Sequence, residues 1–338
     1  MIDPLPLARR LVDIPSLSGD EAEVAGFVAS QLADLGYQVD VFDAAPGRPN
    51  VLATTEQPPR IVLSTHLDTV PPHLPARERD GFLYGRGACD AKGIVAAQIA
   101  AAQRLRSEGV GELGLLFVVD EEMGSLGARA ANAHPRAREC RWLIDGEPTD
   151  NRLAAGSKGS LRLTLRAEGI TAHSAYPEQG RSAIDALLDV LADVRGAAWP
   201  TDPFFGDTTV NIGVIAGGTR PNVVAGEASA DLQIRLGTDP EPVQRLLEQV
   251  VRGRAGIEYL TAVSPVRLAT VPGFETCVVR FTTDVPNLSS WGRPLLIGPG
   301  SILDAHTDHE RISPAELVAG ADAYVRLVHA LRAERVVA

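Results

Sequence analysis

Four short apolar runs, each breaking off into acidic or histidine-bearing sequence, constrain this chain more than any other feature. They are "RIVLS" before His66, "LLFVV" before Asp120, "RWLI" before Asp145 and "PLLI" before Gly298. Runs of this length and β-branched content suit strands buried on both faces. Amphipathic or Ala-rich stretches punctuate the same chain: "PLPLARRLVDIP", stopped at Pro15, "SGDEAEVAGFVASQLADLGY", ended at Gly36, and "AKGIVAAQIAAAQRLRSEG", closed by Gly109. These read as helices by their apolar spacing and their polar starts and glycine or proline stops. "YQVDVF" and "NVLATTE" read as further strands between Pro/Gly turns. Strands alternating with helices predict an α/β fold, a mixed, mostly parallel sheet covered by helices on both sides.

From about Lys158 the rhythm changes. "SLRLTLRAEG" alternates strictly, then come a helix at "SAIDALLDVLADVRG", strands at "TTVNIGVIAGG" and "EASADLQIRL", a helix at "PEPVQRLLEQVV" and a strand at "GIEYLTAV". That β-α-β-β-α-β order forms a compact α+β unit. It predicts a smaller domain over 158–265 inserted into a larger one made of 1–157 and 266–338. The segment "CVVRFTTDVPNL" and the closing helix "SPAELVAGADAYVRLVHALRAE" are assigned to the larger domain. The length of 338 residues agrees with about two domains.

Composition narrows the functional classes. A net charge of −11 is the wrong sign for nucleic-acid phosphates. Cys89, Cys140 and Cys277 are odd in number and lack a C-x-x-C pair, which argues against a disulfide framework and a cysteine-bound zinc. No segment approaches the roughly 18 apolar residues of a membrane span, and no signal peptide is apparent at the start. A cytoplasmic location is therefore expected.

The chemistry gathers where the runs end. His66 and Asp68 follow the first, Glu121 and Glu122 the second, Asp145 and Glu147 the third, and His306 lies beyond the fourth; Asp90 precedes the Ala-rich helix. Open α/β sheets bind ligands outside the carboxyl ends of their strands, so these clusters can converge. Two histidines with several carboxylates and no thiolate suit zinc, cobalt or manganese. There are more carboxylates than one ion uses, which points to two ions sharing a ligand, with a spare carboxylate to take a proton from water. Taken singly, Asp90 is a helix cap, "EE" a solvated pair and a histidine after a strand a structural residue; only the joint pattern indicates a site. There is no G-x-S-x-G and no H-E-x-x-H.

The segments "STHLDTVP", "GRGACDAKG", "DEEMGS", "DGEPT" and "GPGSILDAHTDHE" resemble the signatures of the M20 metallopeptidases. Within that family, "GEPT" and "GPGSI…AH" resemble the branch of acetylornithine deacetylase and succinyl-diaminopimelate desuccinylase. The resemblance implies two divalent metal ions, zinc or else cobalt or manganese: His66 and Glu147 on one, Glu122 and His306 on the other, Asp90 bridging. It implies that Asp68 orients His66, that Glu121 is the general base, and that the peptide after Asp90 is cis. It implies a lid and dimerisation domain whose His173 stabilises the oxyanion, in cis or in trans, with Asn211, Asn222, Arg235 and Gly300 near the substrate. The expected reaction is hydrolysis of an N-acyl amino acid, acetylornithine first, by a homodimer. A desuccinylase, a carrier-protein-linked lysine or ornithine hydrolase, a dipeptidase, a carboxypeptidase and a non-catalytic binding relative are the alternatives. His309 is a rival to His306, and Cys89 is either a buried filler or a thiol that meets the metal.

Overall fold

The computed structural model describes residues 3–333. It divides into two compact units. One is the chain up to Ala155 with Leu268–Cys277 and the chain from Thr283; the other is Gly156–Arg267 with Val278–Thr282. The inserted unit thus takes the "VVRFT" stretch that the sequence pattern assigns to the larger domain, and Lys158 N donates to Val279 O at 3.0 Å.

In chain order the larger unit first lays down α1 (Leu5–Asp13), α2 (Ala22–Asp34), β1 (Gln38–Ala45), β2 (Arg48–Thr54) and β3 (Ile61–His66). Next come α3 (Lys92–Ser107), β4 (Leu113–Val118), α4 (Leu126–Asn132) and β5 (Trp142–Asp145). The inserted unit contributes β6 (Gly159–Glu168), α5 (Ala183–Gly196), β7 (Thr209–Gly217), β8 (Glu227–Leu236), α6 (Pro240–Val251) and β9 (Gly256–Val263). The larger unit then closes with β10 (Arg293–Leu296) and α7 (Pro314–Arg332).

Its six-stranded sheet runs β1-β2-β4-β3-β5-β10. Its centre is parallel, β3 pairing β4 and β5, and β5 pairing β10, while β2 meets β4 antiparallel. Successive residues of a strand face opposite ways, and the cores divide accordingly. Leu63, Leu115, Phe117 and Ile144 join α1, α2, α3 and α7 in one core. Val62, Leu116, Val118 and Leu143 pack with Ala128 and Ala131 of α4 and with Trp291 in another. Burying each such side chain contributes about 1.5–3 kcal/mol relative to leaving it exposed. Helix α4 has no marked apolar period in "LGARAAN", so the sequence pattern passes over it.

In the inserted unit the sheet order is β7-β8-β6-β9, every pair antiparallel. Alternate residues of β6 and β8, among them Leu161, Leu163, Leu165, Leu232 and Ile234, pack on Leu187 and Val190 of α5 and Leu247 of α6. The larger unit with its mainly parallel sheet and the smaller antiparallel one give the α/β-plus-α+β fold that the strand pattern predicts.

Close approach at the start of α3 is what seats Asp90. A Cβ on Gly93 would lie 2.1 Å from the Ala88 carbonyl oxygen, so only glycine lets the helix turn sit against the 88–91 segment. Gly93→Ala is expected to destabilise the chain by about 1–3 kcal/mol through overpacking and to weaken divalent-metal binding with it. Urea unfolding and metal titration check both; unchanged values for both would refute the packing argument.

Candidate metal centre

Each charged group of the site is delivered by a strand end or helix start. Main-chain pairing runs one residue beyond β3, Leu67 N donating to Val118 O at 2.8 Å, and leaves Asp68 just outside the sheet. Gly146 N donates to Ser64 O at 2.7 Å, which places Asp145 and Glu147 on either side of the β5 end. Asp90 precedes α3 across a cis Asp90–Ala91 peptide and makes no capping bond to that helix. Its carboxylate is spent elsewhere.

Asp90 sits between two imidazoles. His66 Nε2 is 3.0 Å from its Oδ1, and His306 Nε2 is 3.4 Å from its Oδ2 and 2.9 Å from Glu122 Oε1. Ligand atoms of His66, Asp90 and Glu122 all lie within 4.8 Å of one another. On the far side of the His66 ring, Nδ1 lies 2.9 Å from the Asp68 main-chain carbonyl. A carbonyl can only accept, so Nδ1 carries a proton and Nε2 of a neutral ring turns its lone pair toward Asp90. Two acceptors 3.0 Å apart need a proton or a cation between them, and this donor set fits a divalent metal.

The electrostatics agree. Burial opposes charge on His66, yet Asp68 and Asp90 outweigh it and raise the imidazole well above its usual value. Hydrogen bonds to Asp90 and Glu122 push His306 up to about 10. Burial would raise Asp90, but His306 and His66 hold it below the ordinary carboxylate range. Glu121 and Glu147 are pushed well above that range, first by burial and then by neighbouring carboxylates; only His66 pulls the other way.

The predicted residues distribute as follows. His66, Asp90, Glu122 and His306 meet directly. Glu147 is 5% exposed and is coupled electrostatically to Glu121 and Asp90, but stands outside the tight cluster. Asp68 differs from expectation. Its main-chain carbonyl, 2.9 Å from His66 Nδ1, makes the shorter contact with that ring, and its carboxylate lies 3.6 Å from the same nitrogen. The carboxylate accepts from Glu121 N at 3.0 Å, Glu122 N at 3.2 Å and Ser18 Oγ at 2.7 Å, so it aims both glutamates. His309 is exposed and lies with Arg77, Tyr84 and Asp308 along a cavity of about 210 Å³. Cys89 is fully buried, its Sγ 3.7 Å from Glu310 Oε1, and burial pushes its thiol up: a filler. Gly300 has φ +88°, and a Cβ there would lie 2.6 Å from that of Cys89, so its role in the structure is close packing.

His173, Asn211, Asn222 and Arg235 belong to the inserted unit. His173 pairs with Val223, and Ser174 N donates to Asn222 O at 3.0 Å, so two of the four are neighbours. His173 Nδ1 accepts from Ala175 N at 3.1 Å, which leaves the proton of the neutral ring on Nε2. Asn211 is exposed on β7, and Arg235 donates to Thr282 Oγ1 at 3.4 Å. The sequence pattern missed three participants. Arg86 and Glu310 form a buried ion pair, and Asp284 is 2% exposed, its carboxyl pushed up to about 7 by burial against the pull of Ser125. Nothing in "TTDVPN" or "GRGA" separates such residues from ordinary loop polarity.

An acid-rich pair of imidazoles at the carboxyl edge of a mainly parallel sheet defines a metal-centre protein of the α/β class. The model of peptidase family M20/M25/M40 matches residues 62–330, and the chain belongs to that family. It is 36% identical to a peptidase M20 domain-containing protein of Schizosaccharomyces pombe, covering 96% of this chain and 84% of that protein. It is 39% identical to a probable carboxypeptidase of Aspergillus terreus, covering 96% and 86%. Its fold matches aminopeptidase PepT from Bacillus cereus with a TM-score of 0.77 at 21% identity, covering 98% of each chain. The protein is thus an M20-family metallohydrolase.

A raised imidazole holds its proton at neutral pH in the metal-free chain. His306 therefore contributes stability fully below its unfolded value near 6.5 and loses it as pH rises through about 10. A metal ion must displace such protons, so binding releases them and weakens as pH falls. Calorimetric titration at neutral pH is expected to give a binding heat that varies with the ionisation heat of the buffer. A heat independent of the buffer would contradict the proton-bridged geometry.

Proposed function

We propose that the protein is a dinuclear metal-dependent carboxypeptidase that hydrolyses the amide next to a free C-terminal carboxylate in small peptides. The observation that carries the reading is Glu121, a half-buried carboxylate whose side chain makes no hydrogen bond among the described residues, beside the tightly held cluster of His66, Asp90, Glu122 and His306. The names carried by relatives at 38–39% identity, probable carboxypeptidases, favour this substrate class over the acetylornithine deacetylase suggested by "GEPT". They lend no support to a place in arginine biosynthesis.

In this reading His66 and Glu147 would hold one divalent ion and Glu122 and His306 the other, with Asp90 shared, and zinc, cobalt or manganese would be the metal. When bound, the ions supply Lewis acidity and a lowered pKa for water. Glu121, raised by burial, takes a proton from the attacking water and gives it to the departing nitrogen. The water oxygen joins the acyl carbon, the C–N bond breaks, and a carboxylate and an ammonium result. His173 offers its Nε2 proton to the oxyanion, and Arg235 pairs with the substrate carboxylate. The Asp68 carboxylate keeps Glu121 and Glu122 aimed apart through their amides.

We also propose a homodimer formed through the inserted unit. β7 is an edge strand, and its Val214 and Ile215 are each 55% exposed, an edge that a second copy would cover. Light scattering should give twice the chain mass, falling to one on Val214→Lys/Ile215→Lys; a monomeric wild type would refute it.

Dipeptides, their C-terminal amides, N-acetyl amino acids, acetylornithine and succinyl-diaminopimelate, assayed by amine release with added zinc or cobalt, test the substrate reading. Peptides with a free carboxylate are expected to turn over and their amides to fail; turnover of acetylornithine alone would overturn it. Glu121→Gln is expected to lose about 10²–10⁴ in kcat while keeping its metal. Retained activity would remove Glu121 as the base.

A further inference from the structure

Resting on the metal-centre reading above, we infer that Glu310 is a positioning residue that sets the His306 half of the centre. Glu310 is 1% exposed and Arg86 is 2% exposed. One oxygen of Glu310 accepts from Cys89 N at 3.2 Å and Asp90 N at 3.1 Å, so it grips the segment that carries the shared aspartate. The other accepts from Arg86 Nη1 at 2.7 Å. The same Nη1 also donates to the carbonyl of Thr307, the residue after His306, at 3.1 Å. A single buried carboxylate thus ties the Asp90 turn to the His306 loop.

The two imidazoles depend on this tie unequally. His66 lies at the end of a buried strand, and its Nδ1 is fixed by the Asp68 carbonyl. His306 has a 49% exposed side chain and left-handed backbone at φ +62°, and its side-chain partners among the described residues are only Asp90 and Glu122, both prospective ligands. Its place is set by the backbone of its loop, and Glu310 is that loop's deepest anchor. A buried ion pair is a weak source of net stability compared with an apolar replacement. The effect of this one lies in the geometry it imposes.

Cobalt(II) absorption titrations test the inference. Glu310→Gln keeps an oxygen for the Cys89 and Asp90 amides but loses the charge opposite Arg86. It is expected to weaken one of two cobalt sites about 10–100-fold, as loss of a group supporting a ligand typically does. His306→Ala/Glu310→Gln should bind its single ion as His306→Ala does. The double variant Arg86→Met/Glu310→Gln, which leaves no unpaired buried charge, should recover the thermal midpoint of the metal-free chain yet keep the weak site weak. Wild-type binding by Glu310→Gln, an equal loss in the His306→Ala background, or recovery of the weak site by the double variant would each overturn the inference. A wild type that binds no cobalt would instead overturn the metal-centre reading on which it rests.

Discussion

The Asp90 carboxylate, held between His66 and His306 amid other acids, is the constraint from which the site follows. At an effective dielectric near 20, two unit charges about 4 Å apart interact by about 4 kcal/mol. Asp90, Glu121, Glu122, Asp145, Glu147 and Asp284 therefore cannot all ionise inside the larger unit without positive charge among them. The two imidazoles are raised by the acids around them, and burial pushes Glu121, Asp145 and Glu147 upward. Divalent ions would replace the protons and let the acids ionise. That gathering of acids around two imidazoles is the donor chemistry of a candidate metal centre.

Main-chain bonds anchor three of the groups at the site. Asp68 accepts from the amides of Glu121 and Glu122, His66 Nδ1 donates to the Asp68 carbonyl, and Glu310 accepts from the amides of Cys89 and Asp90. These anchors come from segments distant in sequence that parallel strand pairing brings to one edge. Main-chain bonds hold such groups more firmly than long side chains would, and a catalytic geometry needs that firmness.

The apolar runs made the parallel sheet legible, because a strand buried on both faces has little freedom in composition. The same runs point to the residues that cluster around Asp90, since whatever follows them must leave the sheet at its carboxyl edge. Helix α4 carries no sequence signal because Ala and Gly show no period, and "VVRFT" clusters with the inserted unit through strand pairing over long separations, which leaves no local mark. Asp68 shows a subtler limit. Its spacing from His66 announced a partnership, but whether the carbonyl or the carboxylate makes the contact depends on backbone direction, which composition does not record. Arg86, Glu310 and Asp284 were silent for a similar reason: a buried polar residue declares itself only when its surroundings are known.

Chemistry and specificity have different physical supports in this chain. The prospective ligands and base are held within the larger unit by main-chain bonds, and a substitution there disturbs charge balance as well as shape. His173, Asn211 and Asn222 are exposed in the inserted unit, on a loop and an edge strand, where side chains change with little effect on either core. A fold of this kind can keep one hydrolytic centre while its substrate varies. An aminopeptidase shares the fold while relatives nearer in sequence carry the name carboxypeptidase, so the fold by itself does not fix which substrate is taken. Exposed polar side chains of the inserted unit can thus vary without disturbing the charge balance around Asp90, whereas a change within that cluster alters charge and shape together.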